Sequence, residues 1–508
     1  MKTKKISLSI LFMILLTLLS KITGFSREIA IAYTYGSNEY TDAFFLSTSV
    51  PLLIFSGFTI ALSSVFIPIY SKINIEKGQK EALNYTNNLL LILVSFSMIL
   101  SVITIIYSEN IIDIISPGLS IKSKEISNGY LKILLISFGF FMITAVFSSY
   151  LQVINKPLLT VSSMIPSNLL LVFTILVYQP NLKVIVFISL IGFLLQSFIL
   201  YYFSTKNHFK IKLVNHFFEN EDEKKYIKIT LVSMIPMFIS TSFQNINLFV
   251  DRYLASTFPI GSITAINYAD RLNGFVFGIV ATSIATVVFP ILSRSSIENR
   301  RVFDKTITNS MKIVAILTAP ISIIVFFHSD FIILTLLQRG SLTVEDAKTI
   351  ALLLKCYSIG MIFLGFREIL NRVFFALNDT KTPFINGFFT IIFNIIFSVI
   401  LSSYYGLSGI ILATSIASIF TTILLLFSLN KKHNIRLGSY IYIELTKIIG
   451  INLLFLLVIQ KILMFIFDVE KNLITFVLYI VIYMTITILC FFKFKIINKT
   501  DIVKGTVE

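Results

Sequence analysis

Apolar residues run through this chain in long blocks rather than in alternation, and polar residues gather between the blocks. Taken in windows of about 20 residues, the length at which a helix crosses a hydrocarbon core, the blocks number fourteen. They cover residues 6–33, 42–70, 85–107, 128–153, 158–178, 184–203, 227–256, 263–292, 307–328, 345–377, 383–402, 407–429, 441–466 and 472–492. The connection after the third block carries Ile111, Ile112, Ile114 and Ile115, which suits a membrane interface, as does FIILTLL after Asp330. The pattern predicts an all-α polytopic membrane protein of about fourteen transmembrane helices.

Within the blocks a few charges break the pattern. The first block carries Lys21, Arg27 and Glu28. At 100° per residue these fall with Gly24 inside a sector of about 120°. A charge at bilayer depth costs at least about 2.5–3.5 kcal/mol, so it normally faces a partner or a watery cavity. Snorkelling toward a helix end accounts for Lys21 or Arg27 taken alone, but not for charges that recur in matching places. Asp42 opens the second block. In the seventh, Gln244, Asn247 and Asp251 share one stripe, with Asn245 and Arg252 beside it; the eighth opens with Asp270 and Arg271. The tenth holds Arg367, Glu368 and Arg372, close enough in sequence to neutralise one another.

Composition supports the membrane reading. Of 508 residues 56% are hydrophobic and 13% charged, and mean hydropathy is +0.87. The net charge of +16 would suggest nucleic acid in a soluble protein. Here it follows the connections: alternate ones, beginning with the N-terminal segment, hold 24 Lys or Arg against six in the others. By the positive-inside rule both termini are cytoplasmic, and MKTKK with the apolar run after it is a retained span, not a cleaved signal. Nucleic acid is not an expected partner. Cys356 and Cys490 sit in apolar runs and indicate no disulfide framework.

The chain repeats itself. VFIPIYSK closes the second block and VVFPILSR the eighth; LQVINKP follows the fourth and ALNDTKTP the tenth, and Asn168 and Asn394 each stand eleven residues beyond a proline, Pro157 and Pro383. Matching pieces lie six spans apart, so both halves insert in the same direction, the parallel-repeat arrangement of transporters. The expected organisation is an N-lobe at 1–205, a cytoplasmic linker at 206–226 with an interfacial piece, a C-lobe at 227–430, and spans 13–14 with a tail at 431–508. Lys21, Arg27, Arg252 and Arg271 then come from helices expected at a central cleft, and clustered cations attract an anion, phosphate above all. There is no Walker A loop, HExxH, CxxC or dinucleotide fingerprint, and the four His have no ligand spacing. A transporter rather than an enzyme is expected.

The segments KITGFSREIA, TDAFF with Pro51 following, NLFVDRYLAS, NYADRL, VVFPILSR and RVFFALNDTKTP occur in this order over the first 430 or so residues. Together they resemble the MurJ (MviN) lipid II flippases of the multidrug/oligosaccharidyl-lipid/polysaccharide exporter superfamily, with its MATE-like fold. The resemblance implies alternating access through a central cationic cavity and a groove at the last two helices for an undecaprenyl tail. Lipid-linked peptidoglycan precursor would move from the inner to the outer leaflet of the bacterial cytoplasmic membrane. The expected partners are that precursor and membrane lipids, with a single chain as the functional unit. Carried over by position, Lys21 and Arg27 fall on two family arginines, Glu28 stands for an aspartate, and Asp42 and Arg271 match; Arg252 completes the candidate substrate site. Some members bind sodium, and Asp251, Asn394 and Thr414 resemble three of those ligands. Two positions depart: Phe55 stands where members have a second-span arginine, and Ser398 where sodium-binding members have a carboxylate. The alternatives are a flippase for another lipid-linked glycan, of capsule or O-antigen type, and an ion-coupled multidrug exporter, which would favour an acidic rather than a basic cavity.

Overall fold

The computed structural model describes residues 2–211, 221–435, 439–466 and 472–493. Seventeen helices and no strands occur among them. The first ten are α1 (Lys2–Tyr35), α2 (Glu39–Lys77), α3 (Gln79–Ile106), α4 (Ser108–Ile115), α5 (Ile121–Leu135), α6 (Phe138–Val153), α7 (Pro157–Ser162), α8 (Met164–Tyr178), α9 (Leu182–Thr205) and α10 (Glu221–Ser256). They are followed by α11 (Ser262–Glu298), α12 (Arg300–Leu336), α13 (Val344–Ala376), α14 (Lys381–Tyr405), α15 (Leu407–His433), α16 (Ser439–Ile466) and α17 (Leu473–Lys493). Each of the fourteen apolar blocks falls on one helix or on two consecutive ones. Among the described residues nine helices are long and apolar enough to cross a membrane, ten if α5 and α6, bent by 44° at their junction, form one broken span.

The isoleucine-rich connection folds as α4. Ile112 packs into the core while Ile114 is 72% exposed, and Asp113 and Glu109 pair with Lys124 and Lys132 of α5. That division of apolar and ionic faces suits an interface. FIILTLL, by contrast, continues α12 to Leu336 beyond a local break at His328. In the expected linker, residues 212–220 lie outside the described residues, and α10 starts at Glu221, six residues before the apolar block.

The chain forms two compact units, one of residues 1–264 with 340–342, the other of 265–339 with 343–508. In the first, α2 packs against α3, α5, α6 and α10, and α1 lies along α7 and α8. Phe55 belongs to this core: its ring meets Phe138 at 4.3 Å and Phe141 at 5.2 Å between centroids. Aromatic pairs of this kind contribute about 0.5–1.5 kcal/mol beyond area burial. A cation in the same place would instead carry a burial cost, so phenylalanine suits this site among rings. The α2–α10 seam runs the length of both helices. Asp222 pairs with Lys77, Phe58 meets Phe238 at 4.1 Å, and the Asn245 amide donates to the Leu53 carbonyl at 2.7 Å, while Tyr85 of α3 bonds Thr230 of α10 at 2.7 Å beside it. In the second unit α12, α13 and α15 pack in sequence, α14 lies on α15, and α16 and α17 close on α12.

The sequence repeat has a structural signature. α6 ends with Asn155 at φ 59°, and α13 ends with Asn378 at φ 57°. In both, the next residue's N–H reaches back five positions, Lys156 to Leu151 and Asp379 to Phe374, at 2.8 and 2.9 Å. This is the Schellman termination, for which asparagine tolerates the left-handed conformation better than most residues. A proline soon follows in each case, Pro157 and Pro383.

Where α1 ends, the backbone approaches the segment 340–342. Gly36 (φ 67°) and Gly340 (φ 61°) are left-handed, and a Cβ would lie 2.3 Å from the Ser341 carbonyl oxygen at the first and 2.1 Å from the Tyr33 carbonyl oxygen at the second. The Ser341 N–H donates to that Tyr33 oxygen at 2.8 Å. Replacing either glycine by Ala therefore adds a backbone clash to about 1–2 kcal/mol of left-handed strain. The expected result is a lowered thermal midpoint for Gly36→Ala and Gly340→Ala. Gly387→Ala, inside α14 with nothing within 4 Å of its Cβ, is expected to show no loss.

Candidate substrate-binding site

On α1 the polar sector expected from periodicity is turned toward α8. The Arg27 guanidinium donates to Glu28 Oε1 at 2.6 Å and to Asn168 Oδ1 at 3.3 Å. The two ends of the ion pair differ: the Glu28 side chain is 4% exposed, that of Arg27 30%. Arginine has five N–H donors in a planar fork, so the accessible guanidinium keeps donors for an oxyanion while Glu28 holds it in place. Lys21 stands half-buried on the same sector, nearly two turns earlier. Asn168, from α8, was legible in the sequence only as a repeat position.

Asp42 occupies a different kind of place. It is 2% exposed. One carboxylate oxygen accepts from the Gly261 N–H at 2.6 Å; the other accepts from the Thr264 N–H at 2.7 Å and its hydroxyl at 2.6 Å. Those donors belong to the first turn of α11 and the residue before it, where helical N–H groups lack intrahelical partners. Arg252, buried at 7% exposure, is an electrostatic neighbour of Asp42 and donates to the Ile263 carbonyl at 3.3 Å. Asp42 and Arg252 thus meet in one buried clamp, while Lys21, Arg27 and Glu28 form a separate, more accessible group.

Of the remaining predicted residues, Asp251 belongs to the first unit and Arg271, Asn394 and Thr414 to the second. Asp251 is buried on α10 in the first unit; the side chain of Gln244 lies outside the described residues. In the second unit, Arg271 is exposed on α11. Asn394 is buried on α14 and its Oδ1 accepts from the Ser398 hydroxyl at 3.4 Å, while the Thr414 hydroxyl bonds back to the Ile410 carbonyl at 3.3 Å. Arg372 pairs with Glu368 at 3.1 Å and lies over the Phe289 ring, the mutual neutralisation that the spacing allowed. One ion pair was not foreseeable from the sequence: Lys312 of α12 with Glu444 of α16, both largely buried. Each sits near the start of its apolar block, and nothing in the spacing ties them together.

A polar knot joins the helix ends around Asp379. It accepts from the Thr382 hydroxyl at 2.5 Å and the Thr382 N–H at 3.0 Å, and pairs with His433 at 3.0 Å; Lys432 donates to the same threonine at 2.8 Å. Burial opposes ionisation of Asp379, but the two Thr382 bonds, His433 and Lys432 outweigh it and hold the carboxyl down at about 2. Because the folded value lies below the ordinary 3.8, the knot contributes stability above the ordinary value and loses it as pH falls toward about 2. The thermal midpoint is expected to fall across that window in the native chain and to fall less in Asp379→Asn.

Long apolar helices with charges paired or half-sheltered between them define a multi-pass membrane transporter. The profile of the family described as lipid II flippase MurJ matches residues 31–485. The probable lipid II flippase MurJ of Buchnera aphidicola subsp. Acyrthosiphon pisum is 30% identical over 87% of this chain and 88% of its own length. The lipid II flippase MurJ of Thermosipho africanus is 28% identical over 83% and 85%. A solved lipid II flippase MurJ in an inward closed conformation superposes with a TM-score of 0.81 at 27% identity, over 96% of this chain and all of that one. An inward-facing multidrug resistance MATE family transporter shares the fold at 14% identity, with a TM-score of 0.68 over 83% of this chain and 96% of that one. The chain belongs to the lipid II flippase MurJ family.

Proposed function

We infer that this protein is a flippase for lipid II, the lipid-linked peptidoglycan precursor, and acts as a transporter in cell-wall biogenesis. The family match across residues 31–485 carries the reading. The finer proposal concerns the first unit. The precursor's pyrophosphate is held by Arg27, with Lys21 adding positive charge nearby, and Glu28 is the resting partner of the guanidinium until the anion arrives. Two features support it: the tight Arg27–Glu28 ion pair and the accessibility of the arginine end. A charge-assisted bond to phosphate is roughly twice as strong as a neutral one, so an entering pyrophosphate can compete with a single carboxylate.

The proposed location is the bacterial cytoplasmic membrane, with both termini on the cytoplasmic side, supported by the 24-to-6 distribution of basic residues. Depletion in the native bacterium with rescue by the wild-type gene tests the function. The expected result is lysis and accumulation of lipid II on depletion, both reversed by rescue. Growth without lipid II accumulation, together with loss of another surface glycan, would assign the carrier to a different lipid-linked substrate.

A further inference from the structure

We infer that the first unit carries a saccharide-binding cavity, separate from the Arg27 group, where the end of α1 meets the starts of α2 and α9 and the middle of α5. The cavity measures about 700 Å³, within the ~300–1,000 Å³ of small-molecule sites. Its walls include Tyr35, Tyr40 and Tyr130, from three helices, with Glu125 and Lys183 at the rim and Gly129 between them. Tyr35 follows Glu28 by seven residues, so it continues the same face of α1 about 10 Å further along the axis.

Three observations choose the ligand. Tyr130 is 6% exposed as a residue and lines the cavity, and its hydroxyl, which no side chain or backbone group among the described residues engages, is open to a ligand there. The Tyr35 hydroxyl, by comparison, donates to the Pro180 carbonyl at 2.5 Å. Gly129 has nothing within 4 Å of where its Cβ would stand, so the backbone of α5 presents open space rather than packing. The rim charges are of opposite sign, and neither Glu125 nor Lys183 has an ion pair among the described residues.

An organic cation is a poor fit. Lys122, paired with Glu39, already lies over the Tyr40 ring at 5.5 Å, and a second cation would be repelled there. A simple anion would meet Glu125. The Asn38 amide is engaged at both ends and the Asn181 carbonyl caps α9, which leaves the Asn181 NH2 as one further neutral donor. What remains are aromatic faces, phenol hydroxyls, one strong acceptor and one strong donor. That set suits a neutral, hydroxyl-rich ring that stacks on tyrosine and both gives and takes hydrogen bonds, and the cavity volume accommodates a disaccharide.

The test needs neither a lipid carrier nor transport, so its failure leaves the Arg27 proposal standing. The full-length protein, in nanodiscs free of sugar-headed detergent, is mixed with an N-acetylglucosamine disaccharide and studied by saturation-transfer difference NMR. Sorbitol serves as the non-ring control. Transfer to the disaccharide ring protons is expected in the wild type and in Gly129→Ala. It is expected to fall about fivefold in Tyr130→Ala, as for removal of one stacking ring, and to vanish in Gly129→Phe, which fills the space. No transfer above sorbitol in the wild type would overturn the inference, as would undiminished transfer in both variants. If Gly129→Phe does not fold, the exposed-rim changes Glu125→Gln and Lys183→Gln take its place. Reduced transfer in either supports the site, and undiminished transfer in both overturns it.

Discussion

Arg27→Ala is expected to abolish rescue of a depleted strain at expression equal to wild type, while Lys431→Ala rescues fully. The two cations differ in what surrounds them. Arg27 is fixed by Glu28 and Asn168 and is open on one side. Lys431 is exposed in the last turn of α15, over the Phe427 ring. Removing one charge-assisted hydrogen bond to a phosphate weakens binding by about 1.5–3 kcal/mol, or roughly 10- to 150-fold. The substitution also removes the guanidinium end of the ion pair that the nearly inaccessible Glu28 makes. Arg27→Lys is expected to give intermediate rescue, because an ammonium keeps the charge but not the fork that serves Glu28, Asn168 and an oxyanion together. Full rescue by Arg27→Ala would remove the arginine from the substrate site.

Asp42→Ala is expected to fail in a different way, by loss of the folded protein. Its carboxylate satisfies two backbone N–H groups and a hydroxyl and stands beside the buried Arg252. Removing one partner of a buried charge pair costs about 3–5 kcal/mol, and here the two backbone N–H groups lose their acceptor as well. The measurements are yield and thermal midpoint in detergent, read beside transport. A clearly lower midpoint identifies Asp42 as the clamp at the start of α11. An unchanged midpoint with transport abolished would instead make it a substrate-binding residue. Asp42→Asn keeps an acceptor oxygen for one set of donors and is expected to fall between the wild type and Ala.

Much of the site was legible because adjacency along a helix is legible. Arg27 and Glu28 are neighbours in sequence, and the period of 3.6 residues places Lys21 with them. The same logic anticipated the Arg372–Glu368 pair. What periodicity cannot show is which way a polar stripe points, and so the bond between Arg27 and Asn168 on α8 came from the structure. Phe55 illustrates the same limit from the apolar side: only its packing against Phe138 and Phe141 shows that it is held in the core of α2 and α6.

By itself the sequence determined the helical class and the positions of the fourteen apolar blocks. A bilayer demands internally hydrogen-bonded segments of a set length, and that demand is written locally in composition. It also determined the repeat, whose two asparagine-closed helix ends are local features of a few residues each. Only the tertiary structure decided which charges are sealed and which stay open. The donors to Asp42 lie 219 and 222 residues away along the chain, and Lys312 meets Glu444 from four helices earlier. Desolvation and hydrogen bonding in three dimensions, not spacing, made one aspartate a clamp and left one arginine accessible to an anion.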